Sequence, residues 1–161
     1  MQEIKIYKHN YTGYNMINTD NPNEARKIIE RESKSGKVIV QGKSIDFNRI
    51  ILENKKVDML ILSHTNKKDK LKQQDSGLNH VLCEIARKNN ITLAFDFSEL
   101  FDKEKKEKAL ILARWMQNIK LIKKANNKIK LVNKQGRDNR DLFAFLLTLG
   151  MPTSLAKEAV S

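Results

Sequence analysis

Short apolar runs rich in β-branched and aromatic residues alternate with longer segments of helical period along the chain, and they do so five times. The runs IKIY at 4–7, VIVQ at 38–41, MLIL at 59–62, ITLAFDF at 91–97 and IKLV at 129–132 predict strands. Most are apolar throughout, as strands covered on both faces are, and this is the habit of a parallel sheet. Between them, the helix starts are marked by side chains that can accept from free backbone N–H groups. Asn21 is placed to cap a helix with Pro22 in its first turn and Glu24 at the capping-box position. Asp46 is the expected cap of FNRIILEN, and Asp75 or Ser76 that of a helix whose Leu78, Val81, Leu82 and Ile85 recur at i, i+3, i+4 and i+7.

The longest helix is predicted from about Asp102 to Ala125, with Ile111, Leu112, Trp115, Met116, Ile119 and Ile122 on the core side and Lys106, Gln117, Lys120 and Lys124 opposite. Asp138 opens a last clear helix, DLFAFLLTL, which Gly150 and Pro152 end, and a short helix SLAKEAV follows. A βα alternation with right-handed crossovers gives either a doubly wound sheet or a (β/α) barrel. A complete eight-unit barrel takes about 250 residues. At 161 residues the expectation is a single α/β domain over 1–161, an incomplete (β/α) barrel-like fold with about five parallel strands and crossover helices.

Charge changes the picture more than composition does. Against 19 acidic residues stand 31 lysines and arginines, a formal net charge of +12 that a neutralising polyanion would make tolerable. A membrane surface is the rival polyanion, but no segment approaches the roughly 20 apolar residues of a spanning helix, and MQEIKIYKHN lacks a signal peptide's apolar run. No membrane association is expected, and the location expected is the cytosol. One cysteine, Cys83, cannot make an internal disulfide or a cysteine-based zinc site and reads as a packing residue.

Loops leaving the C-terminal ends of parallel strands share one edge, where ligands gather. After MLIL, such a loop carries Lys67, Lys68, Lys70 and Lys72 toward the start of the next helix; after IKLV, another carries Lys134, Arg137 and Arg140. These groups suit phosphate contacts. The 100° period turns His80, Glu84 and Arg87 away from the apolar stripe of their helix. Phosphate-cradling, dinucleotide-binding and nucleophile-elbow glycine motifs are absent, and the histidines are scattered at His9, His64 and His80. No catalytic or metal-ligating residue is expected. His64 and Asp96 do fall near strand C-termini, so a metal-dependent phosphoesterase of barrel type is the alternative, and a general RNA chaperone a third reading.

The stretches VDMLILS, DSGLNHVL, ITLAFDFSELF, ARWMQNIKLIKKANNKIKLV and RDLFAFLLTLGM, taken in this order, resemble archaeal ribonuclease P protein component 3, counterpart of a eukaryotic nuclear ribonuclease P subunit. The likeness spans residues 37–159 and leaves 1–36 as a divergent N-terminal unit, in which 8–20 align poorly. It implies a barrel-like fold without nuclease activity of its own. The chain would sit in a holoenzyme whose catalytic RNA, using Mg, removes the 5′ leader from precursor tRNA, with no cofactor in the chain itself. The implied partners are ribonuclease P RNA, precursor tRNA and ribonuclease P protein component 2, in a heterotetramer or homodimer. By the same resemblance, RNA contacts fall on His80, Arg87, Lys88, Lys123 and Arg140. Family members usually carry two further βα units, so IKIY is similar to their third strand, and a partner or second copy is expected to cover the open sheet edges.

Overall fold

Among the described residues five parallel strands lie side by side in chain order, and that order decides where every helix between them goes. The structure is a computed structural model and describes residues 13–161. Its strands are β1 (Tyr14–Ile17), β2 (Lys37–Gln41), β3 (Met59–Leu62), β4 (Thr92–Asp96) and β5 (Ile129–Val132). Crossovers between them are α1 (Pro22–Glu32), α2 (Ile45–Leu52), α3 (His80–Lys88) and α4 (Lys105–Ala125), with a 3-10 turn at Phe97–Leu100 before α4; α5 (Asn139–Thr148) and α6 (Thr153–Val160) follow β5. A strand order that never reverses, joined by right-handed crossovers, keeps all the helices on one face. This is the barrel-like winding, not the doubly wound one.

The period-2 alternation of the strands divides the core accordingly. Val38, Val40, Leu60, Leu62, Leu93, Phe95, Ile129 and Leu131 point into the large cluster under the helices. Ile39, Met59, Ile61, Ala94 and Val132 form a smaller cluster on the other face, with Tyr14 and Met16 against it. Strands apolar on both faces are therefore filled on both, as the uniform runs predict.

Several local expectations are corrected. The predicted strand at 4–7 lies outside the described residues; the first strand of the sheet is YNMI at Tyr14–Ile17, inside a stretch the pattern leaves unassigned. Asn15 holds it there, its Nδ2 donating to the Glu32 carbonyl and to Ser35 Oγ at 3.0 Å each. Asn21 caps α1 as expected, but Glu24 accepts from the Thr19 hydroxyl instead of closing a capping box. Ser44, not Asp46, caps α2, accepting from Phe47 N–H at 3.2 Å. Asn79, not Asp75 or Ser76, caps α3, accepting from Leu82 N–H at 2.9 Å. The long helix opens at Lys105, because Asp102 takes a left-handed conformation (φ 54°) that ends the turn before it. Its buried stripe includes Arg114 and Asn118, while Met116 is exposed; Val81 on α3 is exposed too. Buried Cys83 has its thiol pushed up to about 12 by desolvation, as suits a packing residue.

Candidate nucleic-acid interface

The strand C-termini converge on one edge, and the longest connection there, from Ser63 to Asn79, is held by a polar network reaching into the core. His64 is fully buried beneath it, edge-on to Phe95 at 5.2 Å and beside Trp115 at 5.9 Å between ring centroids. Asn118 Nδ2 donates to the Ser76 carbonyl at 3.0 Å, which fixes the orientation of its amide. The same nitrogen lies 2.9 Å from His64 Nε2, so Nε2 is the acceptor and Nδ1 carries the proton. Nδ1–H then donates to Glu99 Oε2 at 2.9 Å, and His64 N–H donates to Glu99 Oε1 at 2.8 Å. Both ring nitrogens are thus engaged in holding the loop.

Arg114, one turn before Asn118 on α4, holds it as well. This guanidinium, 4% exposed, donates to the carbonyls of His64 (3.0 Å) and Lys67 (3.2 Å) and to Asp69 Oδ1 (3.1 Å). Asp69 also accepts from Asp75 N–H at 2.8 Å, and that bond, then Arg114, holds its carboxyl below the usual carboxylate range. Between Asp69 and Gln74, itself tied through its carbonyl to Gln117 at 3.2 Å, the chain turns back in a tight bridge of Lys70 with Gln73. Leu71 and Lys72 stand at the tip, fully in solvent. A buried framework thereby presents an exposed cationic hairpin.

The neighbouring connection is tied in as well. Asn48, fully buried on α2, accepts from Lys43 N–H and donates to the Gly77 carbonyl, both at 2.8 Å. Gly42 has to be glycine, since a Cβ there would meet the Ile61 carbonyl oxygen at 2.7 Å.

The expected site residues separate into three groups. Lys68, Lys70 and Lys72 are exposed on the loop, as their sequence setting implies. Lys67 is not: it turns inward, its ammonium donating to the Lys43 carbonyl, and burial pushes it below the usual lysine range. Lys134, half-buried, also turns back on the chain, donating to the Val160 carbonyl at 2.5 Å and to Asn139 Oδ1 at 3.1 Å, which ties β5 to α6. Arg137 lies 6.0 Å over the Phe101 ring and Arg140 is exposed in the first turn of α5, both at the same edge as the hairpin. His80 opens α3 at this edge and faces outward, as the helical period predicts.

Arg87, Lys88 and Lys123 sit elsewhere. They close α3 and α4 at the opposite end of the sheet, roughly 12 Å along α3 from His80 at 1.5 Å per residue. Arg87 bonds Glu84 at 2.8 Å, and Lys128 joins the two turns there by donating to Asn90 Oδ1 at 2.7 Å. The structure therefore holds two basic ends, not one. Sequence reasoning missed Arg114, Asn118, Glu99, Asn48 and Lys43; the available signal was Arg114 and Asn118 at i and i+4 beside the apolar stripe, where a polar residue is the informative one.

Asp96 is used locally, accepting from the N–H of Ser98 at 2.9 Å and its hydroxyl at 2.5 Å. Among the described residues, no three His, Cys, Asp or Glu converge into a group that could hold a metal ion. Among the same residues no helix is long and apolar enough to cross a membrane.

Because His80 is exposed and makes no core contact, His80→Ala is expected to shift the melting temperature by less than about 2 °C. Thermal denaturation checks this, and a drop of several degrees would reveal a packing role.

Comparison with known proteins bears on most of the chain. The profile of the family described as RNase P subunit p30 matches residues 10–161. Ribonuclease P protein component 3 of Methanothermobacter thermautotrophicus is 26% identical over 152 residues, 91% of this chain and 60% of that protein. Its counterpart in Methanocaldococcus jannaschii is 29% identical over 147 residues, 84% of this chain and 59% of that protein. In the cryo-EM structure of archaeal ribonuclease P with mature tRNA, one chain superposes with a TM-score of 0.72 at 27% identity, covering 90% of this chain and 62% of that one. The chain thus spans about half to 60% of the length of the curated relatives it matches.

Proposed function

Because the chain belongs to the RNase P subunit p30 family, we propose that it is an RNA-binding protein subunit of a ribonuclease P, supporting a catalytic RNA in removing the 5′ leader from precursor tRNA. The observation that carries this reading is the hairpin at Lys70–Gln73, exposed and cationic yet fixed by Arg114, His64 and Asn118. Flexible lysines lose side-chain and backbone entropy when they bind; a loop already ordered from below loses less on meeting a phosphate backbone. The phosphate contacts fall to Lys68, Lys70, Lys72, Arg137 and Arg140, with His80 beside them. Arg87, Lys88 and Lys123 offer a second contact on the far end. The chain performs no bond-breaking step: His64, the one buried histidine among the described residues, spends both ring nitrogens on structure. The magnesium the reaction uses belongs to the RNA.

Ribonuclease P protein component 2 is the protein partner that fits this assignment, in a heterotetramer or around a homodimer of the chain. Reconstitution tests the reading. The chain, ribonuclease P RNA and component 2 are assembled, and binding of precursor tRNA and leader removal are followed as salt is raised. Affinity of the chain for RNA should fall with a log–log slope of about −0.7 to −0.9 for each phosphate neutralised. Salt-independent binding, or leader removal unaffected by omitting the chain, would overturn it.

A further inference from the structure

A cleft of about 510 Å³ opens at the C-terminal edge of the sheet between the connections that follow β1, β2 and β3, lined by Lys43, Lys67, Lys68, Ser63 and Thr65. We propose that this cleft holds one phosphate group in a fixed position, with the ammonium groups of Lys43 and Lys67 as its ligands. The proposal rests on the RNA-binding reading and deepens it: the hairpin lysines would screen the polyanion, while the cleft sets its register.

Lys67 carries the argument. Its ammonium is drawn out of solvent and donates to the Lys43 carbonyl. Gly77 closes against it from below, for a Cβ at Gly77 would stand 3.2 Å from Lys67 Nζ. Among the described residues no carboxylate oxygen comes within ion-pairing distance of this nitrogen. Burial lowers its proton affinity most; Asp75 and Glu99 pull the other way, and the positive charges of Arg114 and Lys43 take back part of that pull. A cation half withdrawn from water and without a carboxylate in direct contact is costly. An anion in the cleft would remove that cost.

Lys43 completes the pair. Its Nζ donates to Asn18 Oδ1 at 2.7 Å and lies 3.2 Å from Asp20 Oδ1, whose side chain is 92% exposed and free to swing aside. Asp75 also borders the cleft, but its Oδ1 is occupied by the Gly77 N–H at 2.8 Å. The backbone of Lys43 is fixed by Asn48, so its side chain starts from a set position. Two ammonium groups, two hydroxyls and the start of α2 at Ser44 offer more donors than a carboxylate can use and suit the three oxygens of a phosphate.

An RNA phosphodiester and a free phosphate share this chemistry, and two arms separate them. In the first, backbone amides of the full chain are followed by NMR as inorganic phosphate is added, for the wild type, Lys43→Gln and Lys43→Arg. Saturable shifts are expected at Ser44, Ser63, Thr65 and Asn66, lost in Lys43→Gln and restored in Lys43→Arg. In the second, RNA affinity of the same proteins is measured across salt; Lys43→Gln should make the log–log slope shallower by about 0.7 to 0.9, the loss of one phosphate, and Lys43→Arg should recover it. A slope change identifies an RNA phosphate as the occupant. Amide shifts with an unchanged slope identify a free phosphate or nucleotide. No shift in the first arm together with an unchanged slope in the second overturns the proposal, and it does so while the RNA-binding reading stands if the wild type still binds RNA in a salt-dependent way.

Discussion

Arg114→Ala is expected to lower the unfolding free energy by about 2–4 kcal/mol and the melting temperature by about 5–15 °C. The guanidinium is buried and bonds two main-chain carbonyls and one carboxylate of the same loop. Removing it leaves those carbonyls without a donor where water has little access, and each such orphan costs about 1–3 kcal/mol. The pair with Asp69 adds less, since that side chain is 37% exposed. Arg114→Lys should recover little of the loss, because three acceptors arranged around a planar fork cannot be met by one ammonium. Hydrogen exchange offers the sharper readout. Amides between Ser63 and Asn79 should lose protection before those of the sheet, and RNA affinity should fall with them. If Arg114→Ala melts within a degree of the wild type, or if the loop keeps its protection, the loop is held by something other than α4.

The same residue shows where sequence reasoning stops. The strands at 37–41, 59–62, 92–96 and 129–132 are legible because each is filled on both faces, by an unbroken apolar run in the first three and by one that only Lys130 interrupts in the last. Strand β1 is not, because YNMI carries Asn15 in its middle, and its place depends on bonds to the Glu32 carbonyl and Ser35, 17 and 20 residues away. Caps slip for a related reason. Asp46 and Asp75 are good capping residues, but Ser44 and Asn79 stand where the backbone actually turns into the helix, and Asp75 is already engaged by Gly77 N–H. The edge holding the basic loops followed from strand order alone. That Lys67 and Lys134 turn back on the chain did not, since each is turned by a carbonyl far away in sequence, 24 and 26 residues off. Met116 and Arg114 illustrate one further limit: they lie about 200° apart around the helix, and only the loop packed on α4 decides which side is covered.

Reversing the hairpin charges, Lys68→Glu, Lys70→Glu and Lys72→Glu together, is expected to weaken RNA binding on the order of a hundredfold while changing stability by less than about 0.5 kcal/mol. All three side chains are exposed, so folding does not use them. Each contact between a lysine and a phosphate contributes about 1 kcal/mol or more, and three lost contacts reach the stated factor even before repulsion is counted. Net charge alone could produce part of this effect. The chain carries +12, and three reversals at two charges each bring it to +6. The matched control is Arg87→Glu, Lys88→Glu and Lys123→Glu, which removes the same six charges from the opposite end of α3 and α4. Its local costs are a like-charge pair with Glu84 in place of the bond at 2.8 Å, worth a few tenths of a kcal/mol on an exposed helix, and three carboxylates in the last turns of α3 and α4, about 0.3–1 kcal/mol each against the helix dipoles. Filter binding of both triple variants across a range of salt concentrations separates the cases. A loss confined to the hairpin variant places the RNA on the strand C-terminal edge; equal losses reduce the effect to overall charge; a larger loss in the control moves the interface to the far end, where the hairpin would then be only a solvated turn.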